Sequence, residues 1–143
     1  MSIRILLVDD NEVFRRPLQR ALEAAGIEVV AVSSAEEALD VLGGRTVDVL
    51  LTDRRLPGMD GVELLARVKG TYPALASIVM TAYGTIESLT EASRLGASDY
   101  LVKPFEVPDL LCALRRALNQ HELPARGRGV DKPTQQRGGS YGR

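Results

Sequence analysis

The sequence predicts an α/β fold, a single doubly wound domain on a five-stranded parallel sheet. Three observations predict it. Five short runs are almost wholly apolar and lack the alternation of a half-exposed strand, as in strands buried on both faces. Stretches whose apolar residues recur every three or four positions separate those runs, the mark of helices with one buried stripe. The two kinds alternate strictly along the chain, which implies right-handed crossovers and helices on both faces of the sheet.

Residues 3–8 form the first apolar run. Val13, Phe14, Pro17, Leu18, Ala21, Leu22 and Ala25 then recur with helical spacing, and Gly26 is a helix stop. Pro17 lies just past the first turn and should bend that helix. Residues 27–32 make the second strand. Ser34 to Glu37 has capping-box spacing and opens a short helix ending at Gly43-Gly44. Residues 47–52 are the third strand, with Asp53 just past it. Pro57-Gly58 breaks regular structure, so residues 54–58 are a loop. Asp60 caps the next helix, with Glu63 three residues on and Val62, Leu65 and Val68 as its apolar face. Residues 77–80 are the fourth strand, ended by Thr81, and residues 85–95 a helix stopped by Gly96. Residues 100–102 are the fifth strand, closed by Lys103-Pro104. Pro108 suits a first helical turn, and Leu111, Leu114 and Leu118 mark the last helix.

The 143 residues fit one domain, and 45% hydrophobic with 26% charged residues is the balance of an ordinary globule. No apolar run approaches the roughly 18 residues of a membrane span, and the apolar stretch at the start is too short for a signal peptide. A cytoplasmic protein is expected. Cys112, the only cysteine, cannot form an internal disulfide and is expected to be a small buried side chain. The net charge of −1 hides an asymmetry: Arg126, Arg128, Lys132, Arg137 and Arg143 against Asp131 give residues 124–143 a charge of +4, leaving −5 before them. That stretch is rich in Gly, Arg, Gln and Pro without apolar periodicity, so it is expected to be a disordered tail. The division is residues 1–122 as the folded domain and 123–143 as a basic tail or linker.

In open parallel sheets, ligands bind at the carboxyl ends of the strands, where strand order reverses. Asp9-Asp10, Asp53, Thr81 and Lys103 stand at four of those ends. Three carboxylates together repel one another, a penalty that a divalent cation removes. Mg²⁺ prefers oxygen ligands, commonly one or two carboxylates with waters and phosphate oxygens. A carboxylate can also attack phosphorus to form an aspartyl-phosphate, and fixed cations and donors around the phosphoryl oxygens lower that barrier.

Leu-Leu-Val-Asp9-Asp10-Asn11, Thr52-Asp53-Arg54-Arg55-Leu56-Pro57-Gly58-Met59-Asp60-Gly61, Thr81-Ala82-Tyr83 and Tyr100-Leu-Val-Lys103-Pro104-Phe105 resemble the motifs of response-regulator receiver domains of two-component signalling. The resemblance spans about residues 3–120 and is nearest in look to receivers heading nitrogen-regulation-type activators. It implies a flavodoxin-like sheet of order 2-1-3-4-5. It implies that Asp53 accepts phosphate from a sensor histidine kinase or phosphotransfer protein. Asp10, Asp53 and the backbone carbonyl of Arg55 would bind Mg²⁺ (or Mn²⁺), with Asp9 nearby or acting through water. Lys103, Thr81 and Ala82 would meet the phosphoryl group, and Tyr100 would swing inward behind Thr81. The output surface would be the fourth helix, fifth strand and fifth helix, which also serves some members as a homodimer face. The chain would be a signalling switch rather than a turnover enzyme, acting on a downstream output domain or protein, with no membrane contact and no direct nucleic-acid binding by the receiver itself.

Arg54 and Leu56 depart from the residues many members carry. Arg55 and Tyr83 occupy the two positions that tune phosphoryl loss, and a bulky Tyr83 hindering water predicts a lifetime longer than minutes. Among rivals, a phosphatase of haloacid-dehalogenase type wants a second acid two residues after its nucleophile, where this chain has Arg55. A nucleotide or flavin module wants a glycine- or hydroxyl-rich first loop, where this chain has two acids. An interaction domain without the chemistry would not need the full set of site residues. No output domain follows residue 122, which leaves a stand-alone regulator and the front of a longer one both open.

Overall fold

A computed structural model describes residues 3–82 and 84–125. The strands are β1 (Arg4–Val8), β2 (Glu28–Val32), β3 (Val49–Asp53), β4 (Ala76–Thr81) and β5 (Asp99–Val102). The helices are α1 (Glu12–Ala24), α2 (Ala35–Gly44), α3 (Gly61–Thr71), α4 (Ile86–Arg94) and α5 (Val107–Ala125). All strand pairs are parallel, in the order β2-β1-β3-β4-β5. The expected alternation and strand order are therefore present. Asp53 belongs to β3 as its last residue, opposite Met80, rather than following the strand.

Successive strand residues face opposite sides, and the core divides accordingly. Ile5, Leu7, Val49, Leu51, Ile78 and Met80 pack with Leu18 and Leu22 of α1 and Leu110 and Leu114 of α5. Leu6, Val8 and Leu50 pack on the other face with Leu42 of α2 and Leu64 and Val68 of α3. Val79 joins Leu65 and Ala92, which seats α4 on that second face. From β1 the chain first winds outward to β2 and then returns to β3 on the other side. The reversal lies between β1 and β3, so their carboxyl ends flank an opening that no crossover covers.

Local sequence sets the helix starts. The Asn11 side chain accepts from the amides of Val13 at 3.0 Å and Phe14 at 3.4 Å. Ser34 accepts from the Glu37 amide and Asp60 from the Glu63 amide, as capping residues do. The reciprocal half of the α2 box is shifted, because Glu37 accepts from the amide and hydroxyl of Ser33. Those bonds, the backbone one first, hold the Glu37 carboxyl below its usual range. Asp48 accepts from the Arg4 amide at the start of β1, and Asp109 from the Glu106 amide at the start of α5.

Three expectations need correction. Val13 is 83% exposed: at about 100° per residue it lies nine positions, half a turn, from buried Leu22. Cys112 is exposed, because α5 buries Leu110, Ala113, Leu114 and Ala117 and so turns Cys112 outward. In α3 the buried face is Leu64, Leu65 and Val68, with Val62 only half-buried. Asp99 is largely covered and pairs with Arg116 at 2.8 Å. α1 runs through Pro17 to Ala24. α5 runs to Ala125, into the stretch expected to begin the tail at 123; the rest of the expected disordered tail, 126–143, and the lifetime-tuning position Tyr83 lie outside the described residues.

Candidate functional site

β1 delivers Asp9 to the opening with no exposed surface. Its amide donates to the Val32 carbonyl at 3.2 Å, and its Oδ1 accepts from the Asn11 amide at 2.9 Å. Its own carbonyl accepts from Arg15 at 2.6 Å. Asp9 is thus oriented by the turn that starts α1, while Asp10 beside it is exposed.

β3 delivers Asp53. Val8 pairs with Thr52 across the sheet, so the next residues, Asp9 and Asp53, leave their strands side by side. The Thr52 hydroxyl donates to the Asp53 carbonyl at 3.0 Å, and the Arg54 amide donates to the Met80 carbonyl at 2.7 Å. The Arg54 carbonyl accepts from the Gly61 amide at 3.0 Å. A Cβ on Gly61 would stand 2.1 Å from the Asp53 carbonyl oxygen, so only glycine lets α3 approach the end of β3 this closely. Arg54 extends the other way and makes an ion pair with Glu91 of α4.

β4 and β5 bring Thr81 and Lys103. Thr81 is buried, and its carbonyl accepts from the Lys103 amide at 2.7 Å. The Lys103-Pro104 peptide is cis. The Lys103 ammonium lies 2.9 Å from Asp9 Oδ2 and 3.3 Å from Asp53 Oδ1. It also lies 4.1 Å from the centroid of the Phe14 ring, which meets Phe105 edge-to-face at 5.8 Å.

One carboxylate oxygen each from Asp9, Asp10 and Asp53 lies within 4.8 Å of the others. Three ionised carboxylates against one ammonium leave two negative charges, which a divalent cation balances, so the donor set fits such an ion. The Asp53 carboxyl is pushed above its ordinary range, first by burial and further by the charge of Asp9, while Lys103 pulls the other way. Asp53, Arg54, Arg55, Thr81, Ala82 and Lys103 line a hollow of about 110 Å³. Sites for drug-sized ligands run to roughly 300–1,000 Å³, so this hollow suits a small group and not a nucleotide. A larger hollow of about 510 Å³, between Leu42 and Tyr72, lies at the opposite edge of the sheet, away from the converging acids.

The structure brings together Asp9, Asp10, Asp53, Thr81, Ala82 and Lys103, and places Arg55 at the rim. Tyr100 stands apart, 38% exposed on β5 and lining a separate hollow with Cys112 and Arg116. Sequence reasoning missed three contributors. Phe14 followed the same spacing as core residues, Gly61 read as a plain helix start, and Arg54 lies 37 positions from Glu91.

Comparison with known proteins places these features in a family. A family model described as the response regulator receiver domain matches residues 5–115. The response regulator protein FleR of Pseudomonas aeruginosa is 46% identical over 121 residues, covering 84% of this chain and 26% of FleR. The DNA-binding transcriptional regulator NtrC of Klebsiella pneumoniae is 39% identical, covering 90% of this chain and 28% of NtrC. The chain thus spans about a quarter of the length of these relatives. The crystal structure of a CheY-like response regulator receiver domain protein from Methanospirillum hungatei superposes with a TM-score of 0.80 at 31% identity, covering 87% of this chain and 99% of that one.

Proposed function

This chain belongs to the response regulator receiver family of two-component systems, and on that footing we propose that it is a phosphoryl-accepting switch with Asp53 as acceptor. The supporting observation is the Lys103 ammonium at 2.9 Å from Asp9 and 3.3 Å from Asp53, beside a third carboxylate. A carboxylate oxygen of Asp53 attacks the phosphorus of a phosphohistidine on a sensor kinase or phosphotransfer protein. The O–P bond forms as the P–N bond breaks, and the bonding pair leaves with the imidazole. Burial costs Asp53 part of its solvation, leaving its charge available for attack.

Asp9, Asp10 and Asp53, with the backbone carbonyl of Arg55, would hold Mg²⁺ (Mn²⁺ as an alternative), whose role is to offset the charge of the acids and of the phosphoryl oxygens. Lys103 turns from the carboxylates to a phosphoryl oxygen, and Thr81 and Ala82 donate to the others. Thr81 and Lys103 share a backbone hydrogen bond, so a shift in one is felt by the other. Tyr100 moves into the room behind Thr81, and the face of α4, β5 and α5 changes as a two-state element. The ion pair from Arg54 to Glu91 gives the acceptor loop a direct tie to α4. Arg55 and Tyr83 set how fast water removes the phosphate, and the hindrance by Tyr83 makes that loss slower than minutes.

The receiver comprises residues 1–122, with 123–143 as tail or linker. The work is that of a switch which assists its own phosphorylation and dephosphorylation in the cytoplasm. No described helix is long and apolar enough to cross a membrane. The output is a downstream domain or protein, as the names of relatives such as NtrC suggest, with homodimerisation through the α4, β5 and α5 face as a further step. Incubation with acetyl phosphate and Mg²⁺ tests the reading by intact mass. A gain of about 80 Da, absent in Asp53→Asn and with chelator, is expected for an aspartyl-phosphate; equal gain in Asp53→Asn overturns it.

A further inference from the structure

We propose that Phe14 is a positioning residue for Lys103: its ring face holds the ammonium at the acceptor while the lysine exchanges its carboxylate partners. The inference rests on the reading of Asp53 as acceptor and adds a member to that site. Lys103 has a flexible four-carbon stem, and among the described residues three groups meet its ammonium. Two are the carboxylates of Asp9 and Asp53, at 2.9 and 3.3 Å. The third is the Phe14 ring, 4.1 Å away at its centroid and well inside the roughly 6 Å reach of a cation–π contact.

The three neighbours differ chemically. Both carboxylates are committed elsewhere once a divalent cation or a phosphoryl group arrives. The ring carries no charge, binds no metal and accepts no proton, so its attraction for the ammonium persists through those exchanges. A lysine held only by carboxylates would lose its direction at the moment it is needed, and an ammonium misplaced by an ångström loses much of its effect on a transferring group.

The ring is itself fixed from two sides. The Asn11 side chain caps the amides of Val13 and Phe14, which sets the first turn of α1 against the loop carrying Asp9 and Asp10. Phe105, two residues beyond Lys103, meets Phe14 at 82° between ring planes. The aromatic pair therefore joins the loop bearing the acids to the loop bearing the cation.

The test compares the full chain with Phe14→Leu, which keeps apolar bulk without a π face, and Phe14→Tyr, which keeps the ring. The Lys103 ε-methylene protons, read by NMR without a phosphodonor, are expected upfield in wild type and Phe14→Tyr and near their ordinary position in Phe14→Leu. With acetyl phosphate and saturating Mg²⁺, phosphorylation of Phe14→Leu is expected to slow about five-fold, the scale of an exposed to partly buried cation–π contact. Melting temperature and Mg²⁺ affinity stay close to wild type, and Phe14→Tyr recovers at least half of the rate. An unshifted methylene in wild type, an undiminished rate in Phe14→Leu, or equal losses in Leu and Tyr variants overturns the proposal. If wild type takes no phosphate, the acceptor reading fails separately, and the methylene shift alone decides where Phe14 holds Lys103.

Discussion

Gly61→Ala is the most demanding test of how α3 is seated. The added Cβ would lie 2.1 Å from the Asp53 carbonyl oxygen, 3.0 Å from the Arg54 Cα and 3.1 Å from the Arg54 carbonyl oxygen. Carbon–oxygen contacts in proteins close to about 3.3 Å, so the first of these must open by more than an ångström. All three neighbours are backbone, and none can rotate away. The Gly61 amide also loses its aim at the Arg54 carbonyl, now 3.0 Å distant. Overpacking of this kind costs about 1–3 kcal/mol. At about 4 °C per kcal/mol for a domain of this size, the melting temperature should fall by roughly 4–12 °C. The displaced atoms carry the acceptor, and a 1 Å misplacement can cost about 10²-fold in rate. Phosphorylation by acetyl phosphate should therefore slow at least ten-fold at temperatures where Gly61→Ala is still folded. A variant that melts within a degree of wild type and phosphorylates at half its rate or better would refute the close approach of α3 to β3.

Other outcomes follow from the charges at the site. Burial raises the Asp53 carboxyl in the folded state, so the metal-free protein loses stability as pH rises from the unfolded value through that raised one. Asp53→Asn removes the loss; in chelator its melting temperature should exceed that of wild type near neutrality, with the gap closing in acid, and an unchanged or reversed gap contradicts the assignment. Protons and the cation compete for the same carboxylate, so Mg²⁺ affinity should fall as pH drops into the raised Asp53 range, and calorimetric affinities flat with pH would argue otherwise. The Arg54–Glu91 pair is partly exposed and so worth under about 1 kcal/mol. Glu91→Gln should lower the melting temperature by less than about 4 °C yet speed amide exchange in α4; exchange unchanged in α4 would show that the tie holds nothing.

The features readable in advance were those that depend on order along the chain. Residues 3–8, 27–32 and 47–52 had to be buried strands because polar residues scarcely interrupt them. Once the strands were placed, their carboxyl ends collected Asp9, Asp10, Asp53, Thr81 and Lys103 without knowledge of any contact. Helix phase was less legible. Val13 and Cys112 are apolar residues within periodic stretches, and only the packing of Leu22 and Leu110 shows that they face outward. Hidden altogether were effects that need two distant segments at once. The need for glycine at position 61 appears only when α3 meets β3, and the Phe14 ring matters only because Lys103 folds over it. Tyr100 was assigned by resemblance alone, and it lies partly exposed on β5, apart from the converging acids.

The pivotal measurement is a Mg²⁺ titration of the full chain by calorimetry, repeated on Asp10→Asn and Asp53→Asn. Asp9, Asp10 and Asp53 present oxygens within 4.8 Å of one another, so one ion per chain should bind wild type and at least ten-fold more weakly each variant. Absent heat, or equal affinity in all three proteins, would mean that these acids do not share an ion.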